Sequence, residues 1–237
     1  MSYESFLEET TQASLVTAAG ITAEGEEGLG APYANPSWGK RLFDLAVAIP
    51  VFLFVIPLVI VIALAVKLSD GGQVVFSHRR RGQNGRMFNC YKFRSMVPDA
   101  DVRLQELLEE DAELADEWAR DQKLRNDPRI TSFGKFLRKT SLDELPQLIN
   151  IFRGEMSVVG PRPIVENEVA RYGDDIEAYD TMPPGVTGLW QVNGRNNTTY
   201  AERVAMDTEY ARTYSIWLDI KILFQTIPAI LFSRGAY

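Results

Sequence analysis

The residues best suited to chemistry in this sequence are two adjacent carboxylates, Asp143 and Glu144. A basic residue, Arg138, comes five positions before the first acid. Ser141 precedes Glu144 by three positions, which is the spacing of a capping box, so the pattern predicts that both acids lie in the first turn of a helix. Unpaired backbone N–H groups at a helix N-terminus favour anions, so this position suits carboxylates and bound phosphate alike.

Two interpretations of the acid pair stay open on local pattern alone. The acids either cap a surface helix and form a weak ion pair with Arg138, or Arg138 clamps a phosphate beside a reactive carboxylate. The chain contains one histidine, His78, and one cysteine, Cys90. Acid–base or nucleophilic chemistry must therefore rest mainly on carboxylates. The single cysteine excludes an intramolecular disulfide and is typical of a reducing cytoplasm.

Two later segments offer candidate ligand contacts. Arg162 lies between Pro161 and Pro163, whose fixed φ angles orient its side chain at small entropic cost. The glycine-rich stretch 183–196 lets a ligand approach the backbone closely. Its candidate contacts are Gln191, Asn193 and Arg195. A turn with exposed polar residues is the alternative for both segments.

An apolar run from Leu45 to Val66 holds 22 uncharged residues and would reach ~33 Å as a helix. Pro50 and Pro57 fall inside it, and each removes a backbone hydrogen bond. Basic residues flank both ends, and the positive-inside rule assigns both flanks to the cytoplasm. We therefore predict a re-entrant membrane helix over residues 38–70 that breaks at Pro57, with a single spanning helix as the alternative.

Charge is strongly segregated along the chain. Residues 1–35 carry six acids and no base, residues 36–98 carry nine bases and two acids, and residues 99–127 carry eleven acids and four bases. A basic region beside an apolar run indicates anionic lipid or phosphate as the partner, and we expect no nucleic acid. We predict a flexible acidic tail over residues 1–37 and one acidic amphipathic helix over residues 99–127.

The remaining elements follow from turn signals and periodicity. They are a β-hairpin with strands 73–78 and 86–93 around an Asn-Gly turn, a helix within 130–139, a helix opened by a capping box at Thr199–Glu202, and an interfacial amphipathic helix over 216–232. The predicted fold class is α+β. We expect a membrane-associated chain with a re-entrant N-terminal helix and a mostly helical catalytic domain over residues 71–237.

Five segments together resemble the bacterial sugar transferase family, the monotopic phosphoglycosyltransferases. They are KRLFD (40–44), YKFRSM (91–96), TSLDELPQ (140–147), GEMSVVGPRP (154–163) and PGVTGLWQVNGR (184–195). Their collinear order over about residues 38–237 makes the resemblance specific. The acidic segment and the ending Arg234–Tyr237 are most similar to the branch of undecaprenyl-phosphate galactose phosphotransferases, which start exopolysaccharide or O-antigen synthesis.

The resemblance implies a function, a location and a cofactor. Such enzymes transfer a sugar 1-phosphate from a UDP-sugar, here UDP-galactose or UDP-glucose, to undecaprenyl phosphate and release UMP. They lie in the bacterial inner membrane as monotopic proteins, in contact with membrane lipid, and the catalytic domain faces the cytoplasm. The resemblance also implies Mg²⁺ as the cofactor.

The resemblance assigns roles to residues. Asp143 would attack the sugar-linked phosphorus and form a covalent intermediate in a ping-pong mechanism, and Glu144 would be its partner, with Mg²⁺ held by both. Pro57 would be the membrane helix break. The substrate-binding residues would be Arg138, Pro161, Arg162, Pro163, Gln191, Asn193 and Arg195.

Two rival functions stay open. One is a non-enzymatic membrane scaffold for polysaccharide assembly, in which the acids only cap a helix. The other is a Mg²⁺-dependent hydrolase of nucleotide diphosphates. The sugar, the pathway and the oligomeric state also stay open, with a homodimer as one candidate.

Overall fold

The computed structural model describes residues 38–121, 124, 126–193 and 198–231. The predicted tail 1–37, Arg195 and the ending Arg234–Tyr237 lie outside the described residues. The helices are α1 (Trp38–Asp70), α2 (Ala100–Glu110), α3 (Ala112–Asp121), α4 (Ser132–Lys139), α5 (Gln147–Arg153), α6 (Val169–Tyr172), α7 (Ile176–Thr181), α8 (Leu189–Asn193), α9 (Tyr200–Thr213) and α10 (Ile216–Leu231). The strands are β1 (Val75–Arg81), β2 (Met87–Phe93), β3 (Ser157–Val159) and β4 (Gly185–Thr187). The prediction of a mostly helical α+β chain is confirmed.

Helix α1 is the one described helix that is long and apolar enough to cross a membrane, judged by length and composition. Its 33 residues run through Pro50 and Pro57 with no non-helical segment between them. The structure therefore shows a single long apolar helix where the sequence predicted two segments joined at a break. Much of its middle is exposed, including Phe54 at 87%, so the apolar surface there is not used by the core.

Buried polar groups attach the first turns of α1 to the domain. Lys40 Nζ donates hydrogen bonds to Asp219 Oδ2 of α10 at 2.6 Å and to the carbonyl of Val159 at 2.8 Å. Asp44 Oδ1 accepts hydrogen bonds from Ser157 Oγ at 2.7 Å and from the backbone N–H of Val158 at 3.0 Å. Because buried charges are costly unless they are paired, these bonds fix the helix at one position on β3.

The predicted β-hairpin is confirmed. β1 and β2 pair antiparallel, with His78 opposite Cys90. Asn84 at φ 56° and Gly85 at φ 69° supply the left-handed backbone that the tight connection requires. Asn150 connects α5 to strand β2 of the hairpin. Its Oδ1 accepts a hydrogen bond from Tyr91 N at 3.1 Å, and its Nδ2 donates one to the carbonyl of Asn89 at 2.7 Å.

The acidic segment is two helices and not the single helix that its composition predicted. The chain breaks at Asp111, which has extended φ and ψ angles of −132° and 107°. The Asp111 carboxylate then accepts hydrogen bonds from the backbone N–H groups of Glu113 and Leu114 at the start of α3. A short polar side chain that caps the following turn competes with helix continuation, which is why the break occurs there.

The main core lies where α1, α5, α9 and α10 meet the parallel pair β3–β4. Its buried side chains include Ile151, Met156, Val159, Tyr210 and Ile222. The capping box at Thr199 is confirmed, since its hydroxyl accepts from Glu202 N and the Glu202 carboxylate accepts from Thr199 N. Helix α10 buries Ile222 and exposes Trp217, so one side packs in the core, and the interfacial position of the exposed side stays a prediction.

Candidate active site

The acid pair lies in a 3₁₀ turn, Leu142–Glu144, that precedes α5. The predicted capping box is wrong: Ser141 has a left-handed backbone at φ 56° and ψ 17°, and its side chain makes no capping hydrogen bond. Because α4 ends only two residues earlier, Ser141 is used to reverse the chain after that helix. Pro146 immediately precedes α5 as its N-cap residue, where the helix requires no N–H from the proline.

Asp143 is buried, with 7% of its surface exposed, and Glu144 beside it is half-buried. Burial raises the pKa of Asp143 to about 6, and the Glu144 charge adds to this, while Lys92 and Arg138 oppose it. Desolvation therefore outweighs the neighbouring cations that the sequence pattern emphasised. With a pKa near 6 the carboxyl is still ~90% ionised at pH 7.

Lys92 of β2 is the cation that contacts both acids. Its Nζ lies 2.6 Å from Glu144 Oε1 and 3.9 Å from Asp143 Oδ2. Sequence reasoning missed this residue as a partner of the acids. A signal was present, because Lys92 lies in the YKFRSM segment, and its spacing of two residues from Cys90 places both on one face of the strand.

Arg138 lies near the acids but is held by another group. Its Nε donates a hydrogen bond to Ser95 Oγ at 2.8 Å. Burial lowers the pKa of this guanidinium, and the charges of Asp143 and Asp127 oppose the shift. Within the described residues Arg138 forms no ion pair with either acid of the turn. Its guanidinium is thus oriented by Ser95, which leaves its remaining N–H groups for other partners.

The segment 160–164, here called the Arg162 loop, is fixed by its main chain. The carbonyl of Pro161 accepts a hydrogen bond from Gly185 N at 2.8 Å, and that of Pro163 accepts one from Arg80 Nη1 at 3.3 Å. The Arg162 guanidinium lies 5.8 Å from the centre of the Trp190 ring. The guanidinium is half-buried and makes no hydrogen bond or ion pair among the described residues.

The two amide candidates occupy different environments. Gln191 is half-buried, and its Nε2 donates to the carbonyl of Val186 at 2.9 Å, which closes the turn after β4. Asn193 is exposed at the end of α8. The structure therefore gives Gln191 a local structural bond, whereas Asn193 is accessible to a ligand. Arg195 follows outside the described residues.

The inner face of the hairpin connects the acid pair with the Arg162 loop. Cys90 lies between them: burial raises the pKa of its thiol, while Lys92, Arg80 and Arg162 favour the thiolate. Phe88, Cys90 and Lys92 follow one another at intervals of two residues along β2, so all three point to this face. Arg80 is the cross-strand partner of Phe88. Four residues of strand span ~13 Å, so Lys92 beside the acids and Arg80 beside the Arg162 loop lie at two ends of this strand face.

The acid pair fits a Mg²⁺ ion that is shared with a substrate. The described residues contain no group of three or more His, Cys, Asp and Glu side chains placed to hold a metal by themselves. Mg²⁺ is commonly held by one or two carboxylates together with substrate phosphates and water. Asp143 and Glu144 supply such a pair, and the Lys92 ammonium offsets part of its negative charge.

Comparison with known proteins identifies the family. The bacterial sugar transferase profile matches residues 35–233. The chain is 50% identical over 198 residues to the exopolysaccharide production protein ExoY of Sinorhizobium fredii, covering 84% of this chain and 88% of that protein. It is also 50% identical over 198 residues to the undecaprenyl-phosphate galactose phosphotransferase of Salmonella typhimurium, covering 84% of this chain and 41% of that protein.

A third relative has a more explicit name. The UDP-glucose:undecaprenyl-phosphate glucose-1-phosphate transferase of Escherichia coli is 41% identical over 206 residues, covering 84% of this chain and 41% of that protein. The chain thus spans about two fifths of the length of these two phosphotransferases. The resemblance seen in the five segments is confirmed, and so is the expectation of a sugar-transferring enzyme: the chain belongs to the bacterial sugar transferase family.

Proposed function

We propose that this chain transfers a sugar 1-phosphate from a UDP-sugar to a polyprenyl phosphate such as undecaprenyl phosphate and releases UMP. The observation that carries the proposal is the environment of Asp143. Its carboxylate is buried, has a pKa near 6 and accepts no side-chain hydrogen bond from the described residues, while Lys92 and Arg138 lie close by. A carboxylate that is ionised at pH 7 but poorly solvated is a competent nucleophile toward phosphorus.

The proposed transfer takes place in two steps. In the first, an Asp143 oxygen bonds to the sugar-linked phosphorus, the bond from that phosphorus to the bridging oxygen breaks, and UMP leaves with the electron pair. In the second, a phosphate oxygen of the polyprenyl phosphate attacks the same phosphorus and releases the Asp143 carboxylate. A sugar diphosphate lipid results, and the free enzyme is regenerated.

The surrounding residues offset the charge of the diphosphate. Lys92 bridges the acids and can turn to a phosphate oxygen, and Arg138 offers the N–H groups that Ser95 does not use. Glu144 and Asp143 would hold Mg²⁺, which neutralises phosphate charge when it is bound. Arg162 would contact the nucleotide part of the donor from the other end of the hairpin face.

The contacts of α1 support a re-entrant helix. Asp44 near its start bonds to β3, and Ile62 and Val66 near its end pack in a core cluster with Phe93 of β2. A straight helix of 33 residues is ~50 Å long, and one that crosses a ~30 Å hydrocarbon core would leave its second end on the far side. Two ends on one domain favour a helix that enters the membrane without crossing it, and hence a monotopic protein, whereas a break at Pro57 stays a prediction.

The same reasoning predicts the location. The basic flanks of α1 place both of its ends on the cytoplasmic side of the inner membrane. Cysteines introduced as Ser5→Cys and Tyr237→Cys are expected to be shielded from an impermeant maleimide in intact spheroplasts, with the parent chain as the control because Cys90 is buried. Labelling of only one of the two positions would refute the re-entrant arrangement.

The donor and the covalent step can be tested together. Protein held in a nanodisc is incubated with Mg²⁺ and either UDP-galactose or UDP-glucose, without polyprenyl phosphate. Intact-protein mass spectrometry is expected to detect a sugar-phosphate adduct, and the relatives named for galactose and for glucose suggest these two donors. Polyprenyl phosphate should then discharge the adduct.

The rival functions give different results in the same assay. A hydrolase would release UMP continuously without lipid, and a scaffold would release none. Initial rates that fit a ternary-complex pattern would reject the covalent intermediate even if transfer occurs. UMP release that requires polyprenyl phosphate after a first stoichiometric turnover is the expected outcome.

A further inference from the structure

Guanidinium groups and aromatic rings alternate in a line of contacts that ends at the Arg162 loop. The Arg171 and Arg203 guanidinium groups lie 4.9 Å and 5.1 Å from the centre of the Tyr200 ring. Arg203 also lies 4.6 Å from the centre of the Trp190 ring, over which Arg162 lies at 5.8 Å. Each distance falls within the ~6 Å reach of a cation–π contact. Arg203 is therefore the central cation of this line.

The Trp190 ring is the described group against which the Arg162 side chain rests. The Arg162 loop is fixed through its main chain, but its guanidinium has no hydrogen bond or ion pair among the described residues. The Trp190 Nε1 is buried, and no described residue accepts its hydrogen. Packing and stacking therefore hold the indole in place, and Arg203 makes the nearer of its two cation contacts.

The arrangement is electrostatically costly, which argues against simple filling of space. Burial lowers the pKa of Arg203, and the Arg162 charge lowers it further, so the two guanidinium groups repel each other. Burial raises the pKa of Asp207, one helical turn beyond Arg203 on α9, to about 7, so this carboxyl is only partly ionised at pH 7, and its Oδ2 accepts a hydrogen bond from Tyr172 at 2.8 Å. An apolar residue in place of Arg203 would stack on the rings without that repulsion.

We propose that Arg203 is a positioning residue that acts through the Trp190 ring to hold the Arg162 guanidinium ready for the nucleotide phosphate of the donor. The inference rests on the proposed function, because it takes the UDP-sugar as the ligand of Arg162. A guanidinium that is already oriented loses less conformational entropy when it binds phosphate. Removal of Arg203 should therefore weaken donor binding and leave the chemical step at Asp143 unchanged.

Steady-state UMP release at saturating polyprenyl phosphate tests this separation. Arg203→Met is expected to raise KM for the UDP-sugar ~10-fold while kcat stays within about twofold. Arg203→Lys should lie between wild type and Met, because an ammonium keeps the cation–π attraction but not the planar stack. Arg171→Met is the matched control: it removes an exposed arginine from the far side of the line and should leave KM unchanged.

A double-mutant cycle shows whether Arg203 acts through Arg162. Arg162→Ala combined with Arg203→Met is expected to be no worse than Arg162→Ala alone. Additive losses would overturn the proposal, as would a wild-type KM in Arg203→Met or an equal rise in Arg171→Met. If Arg203→Met does not fold, as judged by its thermal melt, Arg203→Lys takes its place in the same cycle.

Failure of the positioning role can be told apart from failure of the proposed function. Absence of a sugar-phosphate adduct in the wild-type protein refutes the proposed function and with it this inference. Adduct formation in the wild type together with an additive cycle refutes the positioning role alone. The adduct measurement is therefore made on every variant beside the kinetics.

Discussion

Two lysine–carboxylate clusters in this chain differ in how completely their charges are satisfied. The first cluster, here called the α1 anchor, consists of Lys40, Asp44 and Asp219. The side chains of Lys40 and Asp219 are 2% and 0% exposed, and both Asp219 oxygens accept hydrogen bonds, from Lys40 and from Tyr210. The second cluster joins Lys92 to the acids of the turn Leu142–Glu144. Its Lys92 side chain is 36% exposed and forms an ion pair with Glu144. Asp143 has only a 3.9 Å contact with the ammonium.

The difference separates a structural carboxylate from a reactive one. Burial raises the pKa of both Asp219 and Asp143. Each oxygen of Asp219 accepts a hydrogen bond, from Lys40 or from Tyr210, which fixes the helix and makes the carboxylate a poorer nucleophile. Asp143 is desolvated and accepts no side-chain hydrogen bond from the described residues, so its oxygens are more available to an incoming phosphorus.

The largest expected effect is the loss of activity in Asp143→Asn. The amide keeps the shape but cannot attack phosphorus, so adduct formation and UMP release should fall by ~10³-fold or more. Because Asp143 accepts no side-chain hydrogen bond from described residues, the melting temperature at pH 7 should not fall. Intact-protein mass spectrometry and a thermal melt measure the two. An adduct that persists in this variant would place the nucleophile elsewhere.

Loss of the α1 anchor should lower the stability of the protein and leave its activity unchanged, which is the reverse of the result expected for Asp143→Asn. Lys40→Met leaves Asp44 and Asp219 buried without their cation, which costs about 3–5 kcal/mol in comparable sites. The thermal melt of the purified protein should show the loss, while turnover per folded molecule stays near that of wild type. The double variant Lys40→Met/Asp219→Leu should recover part of the stability, because Asp219 is then no longer a buried unpaired charge, while Asp44 keeps its hydrogen bonds from Ser157 and Val158. Unchanged stability in Lys40→Met would contradict the comparison.

The pH dependence of adduct formation should report the pKa of Asp143. The rate is expected to fall as pH drops through about 6, because the protonated carboxyl cannot attack. Lys92→Met removes a cation that favours the ionised form, so this acidic limb should move to higher pH, whereas Lys92→Arg should move it less. Rates of adduct formation measured by rapid quench from pH 5 to 8 give the midpoint. An identical midpoint in Lys92→Met would exclude the predicted coupling.

The same pKa predicts a pH-dependent stability effect. The folded pKa of Asp143 is raised to about 6 from its ordinary 3.8, so its contribution to stability is present at low pH and is lost as pH rises through about 6. Asp143→Asn should therefore stabilise the protein relative to wild type at pH 8 and have less effect at pH 5. Thermal melts at the two pH values make the comparison. Equal shifts at both would contradict the raised pKa.

The smallest expected effect concerns Ser141. Because its φ is positive and its side chain caps nothing, Ser141→Gly should stabilise the fold by at most about 1 kcal/mol and leave adduct formation unchanged. An N-cap serine would behave differently, because Ser→Ala at such a position costs ~1 kcal/mol through the lost hydrogen bond. Thermal melts of the Gly and Ala variants distinguish the two. A loss of stability in Ser141→Gly would contradict the left-handed backbone at this position.

Local pattern was informative where the physical cause is local. The Asn-Gly turn, the capping box at Thr199 and the apolar run of α1 depend on backbone preferences and periodicity within a few residues, and the structure confirms them as a hairpin, a helix start and a long helix. The local sequence pattern predicted the wrong structure where a side-chain hydrogen bond or a left-handed residue interrupted a predicted helix. Asp111 caps a new helix inside the acidic segment, and Ser141 reverses the chain.

The sequence by itself determined the adjacent acids, the collinear segments that carry the family resemblance, and the apolar helix, because each is a property of neighbouring residues. Only the tertiary structure decided that Asp143 is buried beside Lys92, that Lys40 pairs with Asp219, and that Arg203 connects Tyr200 to Trp190. Desolvation and charge pairing depend on which groups the fold brings together. Lys40 and Asp219 are 179 residues apart in the chain, and no local spacing encodes their contact.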